Sequence, residues 1–215
     1  LHVPLGIGPR VEGVPGGFLA HWLAFQPQAL LAGLAWKPFT YMFLHGGLMH
    51  LFVNMLWLFF FGPDVERALG TRQFIRFYIL CGVLGVMATL APFATPSVSV
   101  VGASGAVMGV LVAYAVINPE RQFFLFPLPI PINARILVYI VIAINIISAI
   151  QPGGNTSVAT HLGGMAVGFA YMKLIPMLRH HRRKPPKPGP KKGSGPPNNI
   201  GEAVDNIFKF REKKR

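Results

Sequence analysis

"SVSVVGASGAVMGVLVAYAV", residues 97 to 116, sets a hydroxyl, Ser104, between Gly102 and Gly105 at the mouth of an apolar run fit for a lipid bilayer. The surrounding chain suits that reading. Of 215 residues 52% are hydrophobic and 13% charged, and the mean hydropathy is +0.48. Such a composition argues against a soluble globule. The formal net charge of +13 is not a nucleic-acid signal, because 12 of the 20 Lys and Arg and only three of the seven acids lie in residues 179 to 215. The single cysteine, Cys81, lies in an apolar segment and excludes an intramolecular disulfide or a cysteine-based zinc cluster.

A hydrocarbon core of about 30 Å needs roughly 17 to 25 apolar residues in helix. That length finds five spans, 43–61, 73–92, 101–118, 134–151 and 158–178, joined by connectors that hold the breakers, among them "FGPDVERALGTR", "INPERQFFLFPLPIPINAR" and "QPGGNTS". The expected fold is an all-α polytopic membrane helix bundle with three parts. Residues 1–42, interrupted by five prolines, form an interfacial, partly helical segment. Residues 43–178 form the transmembrane domain, and residues 179–215 a basic tail. No charged n-region or A-x-A-like site follows Leu1, so no signal peptide is expected.

Lys and Arg accumulate on the cytoplasmic side of membrane proteins. Arg67, Arg72 and Arg76 surround the first connector, Arg121 and Arg135 the third, and the tail follows the fifth span. Spans 43–61, 101–118 and 158–178 therefore run from outside to inside. At a rise of about 1.5 Å per residue, His45, His50, Asn54, Ser104 and His161 all fall near the outer ends of these helices. Polar groups at membrane depth are costly and face a bundle interior or a wet cavity.

A serine hydroxyl becomes a nucleophile when a base takes its proton, and His161 is the candidate base for Ser104. Asn54 and His50, spaced i and i+4, share a helix face and are candidate oxyanion donors. The Ser104 N–H at a helix N-terminus is a third. Asp64, Glu66 and Glu120 fall at the cytoplasmic ends of their spans, so no acid completes a triad and a Ser-His dyad is expected. G-x-x-x-G spacings at Gly105/Gly109 and Gly164/Gly168 would let the third and fifth spans approach closely and bring Ser104 to His161. A serine so placed is otherwise a helix cap. Asn145, in the fourth span, is expected to hydrogen-bond across helices. His45 reads as interfacial; with no carboxylate at its depth, neither it nor His50 is expected to hold a metal, and no cofactor is expected. Asn155-Thr156-Ser157 matches a glycosylation acceptor, but the loop is too short and too near the membrane for use.

"HGGLMHLFVN" (His45 to Asn54), "GPDVERALG" (Gly62 to Gly70), "GASG" (Gly102 to Gly105) and "HLGGMAVG" (His161 to Gly168) resemble, in order and spacing, the motifs of the rhomboid intramembrane serine proteases over residues 36 to 175. The resemblance implies that Ser104 is the nucleophile and His161 the base, that His50 and Asn54 line the oxyanion site, and that Glu66 serves a structural network on the cytoplasmic side. It also implies an activity, cleavage of the transmembrane segments of single-pass membrane proteins. The family core has six spans; the first of them is absent here, and "AWKPFTYMF" resembles the end of the loop that follows it. Met108 stands where many members place a tyrosine against the histidine, leaving His161 less firmly held. The alternative is a non-proteolytic rhomboid-like protein that binds client helices; retained Ser104 and His161 favour the enzyme.

The expected location is a bacterial cell membrane, with the site toward the extracytoplasmic side and the tail in the cytoplasm. The partners expected are transmembrane substrates, the bilayer and, through the basic linker, anionic headgroups; nucleic acid is not among them. Ile200, Val204, Ile207 and Phe208 would line one face of a short amphipathic helix in the tail, and Gly153-Gly154 would let the loop before the fifth span move as a lid.

Overall fold

The computed structural model describes residues 18–90, 99–124, 131–150 and 156–182. Residues 1–17, the Gly153-Gly154 lid, Asn155 of the acceptor motif and the tail from residue 183, with its amphipathic stretch, lie outside the described residues. The chain divides into Leu1–Pro176 and Met177–Arg215; of the second unit the described part is the helical end of the last helix.

The described protein is mostly helical. Three short helices, α1 (Phe18–Leu23), α2 (Pro27–Leu31) and α3 (Lys37–Thr40), precede the longer ones, α4 (Leu48–Leu69), α5 (Thr71–Met87), α6 (Ser104–Ile117), α7 (Ala134–Ile150) and α8 (Thr156–Arg182). Two stretches, Leu48–Leu69 and Thr71–Leu90, are long and apolar enough to cross a membrane; α6 and α7 are shorter apolar helices.

α4 runs further than expected. The sequence places Gly62 and Pro63 in a connector, yet the helix continues through both. Pro63 lies on an exposed face, and the following "DVERAL" is rich in helix formers. The helix stops at Gly70, whose φ of 82° is open to glycine and whose N–H bonds Glu66 O at 2.7 Å. The third connector also departs from an all-helical fold. Strands β1 (Gln122–Phe124) and β2 (Pro131–Asn133) pair antiparallel, with Phe123 opposite Ile132. The register ends where Asn133 Oδ1 accepts the Ile136 N–H and caps α7.

α6 is the core. Almost every residue from Gly105 to Tyr114 is buried, as befits a helix apolar on all sides. Its neighbours instead turn apolar side chains outward, including Phe52, Phe59 and Phe60 of α4 and Ile144 and Ile147 of α7. Water-facing helices would not do this; lipid-facing ones would. Helix contact within such a solvent depends on close packing rather than hydrophobic drive.

The short N-terminal helices hold the approach to α6. Three successive carbonyls at the end of α1 accept side-chain donors: His21 O from Lys37 Nζ at 2.7 Å, Trp22 O from Trp36 Nε1 at 3.0 Å and Leu23 O from Thr40 Oγ1 at 2.9 Å. Orphan carbonyls at a helix end need such partners. Next in the chain, Phe25 and Val100 exchange both backbone hydrogen bonds, at 3.0 and 2.8 Å. Tyr41 O accepts the Gly102 N–H, and the Tyr41 hydroxyl donates to Gly82 O of α5 at 2.8 Å. The strand entering α6 is thereby fixed two residues before Ser104.

Candidate active site

Ser104 occupies the first helical position of α6, and Ala103 is the N-cap. Its hydroxyl does not cap the helix. Instead Ser104 Oγ lies 2.7 Å from His161 Nε2 on α8. The backbones beneath explain the approach. A Cβ on Gly168 would fall 2.7 Å from Gly109 O, and one on Gly164 would collide with Gly105 O. Both G-x-x-x-G pairs therefore meet. α5 joins them: a Cβ on Gly85 would fall 2.8 Å from Gly164 N, and one on Gly163 2.5 Å from Gly85 O. Gly85 belongs to no G-x-x-x-G spacing, so pattern alone could not have found it.

The far side of the His161 ring meets α7, where Nδ1 lies 2.9 Å from Asn145 Oδ1. This is the cross-helix bond expected of Asn145, though nothing in the sequence named its partner. The spacing of spans held a signal: α7 runs opposite to α6, so Asn145, five residues before its end, shares the level of Ser104 and His161. Beside the ring is a cavity of about 340 Å³ lined by Trp57, Met108, Val141, Ile144, Asn145, Ser148, Val158 and His161. Met108 is there as expected, but it is not left to hold the imidazole alone.

His50 projects from the first turn of α4. Its Nδ1 accepts the Gly46 N–H at 3.3 Å, so Nδ1 is unprotonated and Nε2 carries the hydrogen. That Nε2–H edge lies over Gly102, where an added Cβ would come within 2.8 Å of Nε2. Gly102, at φ 114°, gives the ring room that no other residue would give. Asn54 is buried one turn along, and its Nδ2 donates one hydrogen to His50 O at 3.0 Å. The second amide hydrogen is not used in that bond. His45 packs edge-on against His50, with ring centroids 5.2 Å apart.

Glu66, expected in a structural network, makes no side-chain hydrogen bond among the described residues. Arg67 pairs with Asp64, and Arg135 with Glu120 at 3.2 Å. No group of three or more His, Cys, Asp and Glu able to hold a metal occurs among the described residues.

The comparisons point the same way. A family model described as "Rhomboid domain" matches residues 32–177. The chain is 31% identical over 133 residues to Rhomboid protein 1, mitochondrial, of Saccharomyces cerevisiae, covering 60% of the chain and 38% of that protein. It is 32% identical over 148 residues to Rhomboid protease GluP of Bacillus subtilis, covering 68% of the chain and 27% of GluP. RHOMBOID-like protein 4 of Arabidopsis thaliana is 30% identical over 147 residues, covering 68% and 35%. The chain thus spans about a quarter to two fifths of the length of these relatives. Because the family model covers more than half of the chain, including Ser104 and His161, the protein belongs to the membrane-embedded rhomboid family.

Proposed function

We propose that the protein is an intramembrane serine endopeptidase that cleaves transmembrane segments of single-pass membrane proteins. The observation that carries this reading is the 2.7 Å contact between Ser104 Oγ and His161 Nε2. A nucleophile and its base need a separation of that size. Protease-named relatives support it.

In the reaction, Ser104 Oγ attacks the scissile carbonyl carbon while its proton passes to His161 Nε2. Negative charge then develops on the carbonyl oxygen. Three donors serve it: the Ser104 N–H at the first position of α6, the His50 Nε2–H and the second hydrogen of Asn54 Nδ2. The first gains from the partial positive charge of a helix N-terminus. Preorganised donors of this kind are worth about 3–4 kcal/mol each in comparable sites. His161 returns the proton to the leaving amine nitrogen, the C–N bond breaks and an acyl-Ser104 ester remains. Water, deprotonated at the same Nε2, then attacks the ester carbonyl carbon; the C–Oγ bond breaks, Ser104 Oγ takes the proton back from Nε2, and the second product leaves as a carboxylic acid.

Five spans, with Lys and Arg gathered at the ends opposite Ser104 and His161, would open the site to the extracytoplasmic face of a bacterial cell membrane and leave the C-terminal tail in the cytoplasm. Twelve basic residues there would hold the tail to anionic headgroups. Reconstitution in proteoliposomes with a single-pass test substrate tests the activity: wild type yields two products, and Ser104→Ala yields none while keeping its melting temperature. Equal cleavage by both refutes the assignment. A protein that only binds client helices would cleave in neither case.

A further inference from the structure

Asn145 is 7% exposed on α7 and makes two hydrogen bonds that fix which way its amide faces. Nδ2 donates to Val141 O, one turn back, at 2.8 Å. A backbone carbonyl only accepts, so the NH₂ end must lie there and Oδ1 must face His161. The reversed amide would set two acceptor oxygens against each other, Oδ1 against Val141 O, at 2.8 Å. Because Oδ1 also only accepts, the His161 nitrogen 2.9 Å away, Nδ1, must carry the proton. A neutral imidazole holds one N–H, so Nε2 presents its lone pair to the Ser104 hydroxyl 2.7 Å beyond. The Val141 carbonyl, three side chains and two bonds on the ring thus form one line with a single consistent direction of donation.

We propose that Asn145 is a positioning residue for His161, completing a Ser104, His161, Asn145 relay in which the amide sets the imidazole's tautomer and angle. The inference rests on the reading of Ser104 and His161 as nucleophile and base. It revises the dyad expected from the sequence, which offers no acid for the third place. A carboxylate at membrane depth carries a heavy desolvation cost; an amide orients the ring without net charge. When the Ser104 proton reaches Nε2 the ring becomes an imidazolium, and the Nδ1–H bond to Oδ1 becomes charge-assisted and stronger. Asn145 neither takes nor gives a proton. Its role also explains how Met108 can stand beside His161: a thioether is a poor hydrogen-bond partner, and the ring is held from α7 instead.

The test uses the full chain in liposomes, with ¹⁵N-labelled histidine read by solid-state NMR and cleavage of a single-pass substrate measured in parallel. Wild type is expected to show His161 as the Nδ1–H tautomer. Asn145→Leu, similar in volume, is expected to give mixed tautomers and a kcat lower by about 10- to 100-fold, the range for a misplaced general base. KM stays within about twofold, as for a group acting on the transition state rather than on binding. Asn145→Asp, which keeps an oxygen facing Nδ1, should recover at least part of kcat and the Nδ1–H signal. An unchanged tautomer in a folded Asn145→Leu protein overturns the proposal whatever happens to the rate. A tautomer shift in Asn145→Leu with no cleavage by wild type upholds Asn145's hold on the ring and overturns the protease reading instead.

Discussion

Gly164 of α8 and Gly105 of α6 meet backbone to backbone, with the Gly105 carbonyl occupying the space that a side chain at 164 would need. The neighbour is a helix backbone and not a flexible side chain, so the helices themselves must separate if it is filled. Gly164→Ala is therefore expected to cost about 1–3 kcal/mol, toward the upper end of the range for overpacking. It should lower activity further by lengthening the Ser104 to His161 contact. Ala166→Val, on an exposed part of the same helix, should change neither the melting temperature in detergent nor the cleavage rate by a measurable amount.

Gly102 separates stability from chemistry. Alanine there must adopt a positive φ, at about 1–2 kcal/mol, and its methyl group enters the space of the His50 ring. The ring must swing away from the proposed oxyanion position. Gly102→Ala is expected to lose about 10²-fold or more in kcat, as for removal of one oxyanion donor, with a melting temperature lowered only slightly. A rate close to wild type would show that His50 does not serve the oxyanion.

Lys37 gives a pH signature outside the long helices. It is 2% exposed, and burial lowers its pKa from the ordinary 10.5. The unfolded chain then binds more protons than the folded one between the folded value and 10.5, so stability should rise with pH across that alkaline window. In Lys37→Met this contribution to the rise should vanish, and the loss of the bond to His21 O should cost about 0.5–1.5 kcal/mol at neutral pH. Thermal melts in detergent from pH 8 to 10.5 compare the two directly.

Trp36 is a simpler control on the same helix end. Trp36→Phe keeps a large ring near Trp22, with which Trp36 is stacked at 6.3 Å, but removes the bond from Nε1 to Trp22 O. A loss of about 0.5–1.5 kcal/mol, with kcat unchanged, is the expected outcome of the melting and cleavage assays.

Depth along a helix and the four-residue glycine period were legible in the sequence because both are local properties of helical geometry. They led to Gly105, Gly109, Gly164 and Gly168 and to the pairing of Ser104 with His161. What could not be read depends on a third partner. Gly85 matters only because α5 comes to lie against α8, and Asn145, whose depth follows from the order of spans, only because α7 brings it against the His161 ring. Pro63 looked like a breaker, whereas an exposed proline on a helix continued by "DVERAL" is tolerated and Gly70 makes the stop. The ribbon of 122–124 with 131–133 was hidden by prolines, since Pro131 begins its strand at a position where proline is allowed.

The most direct measurement of the central claim is the site and rate of fluorophosphonate labelling, mapped by peptide mass on the folded protein in liposomes. A hydroxyl activated by His161 should give one adduct, on Ser104, and His161→Ala should leave that serine unmodified while the fold persists. An adduct on Ser104 formed equally fast without His161, or no adduct on Ser104 in the wild-type protein, would contradict it.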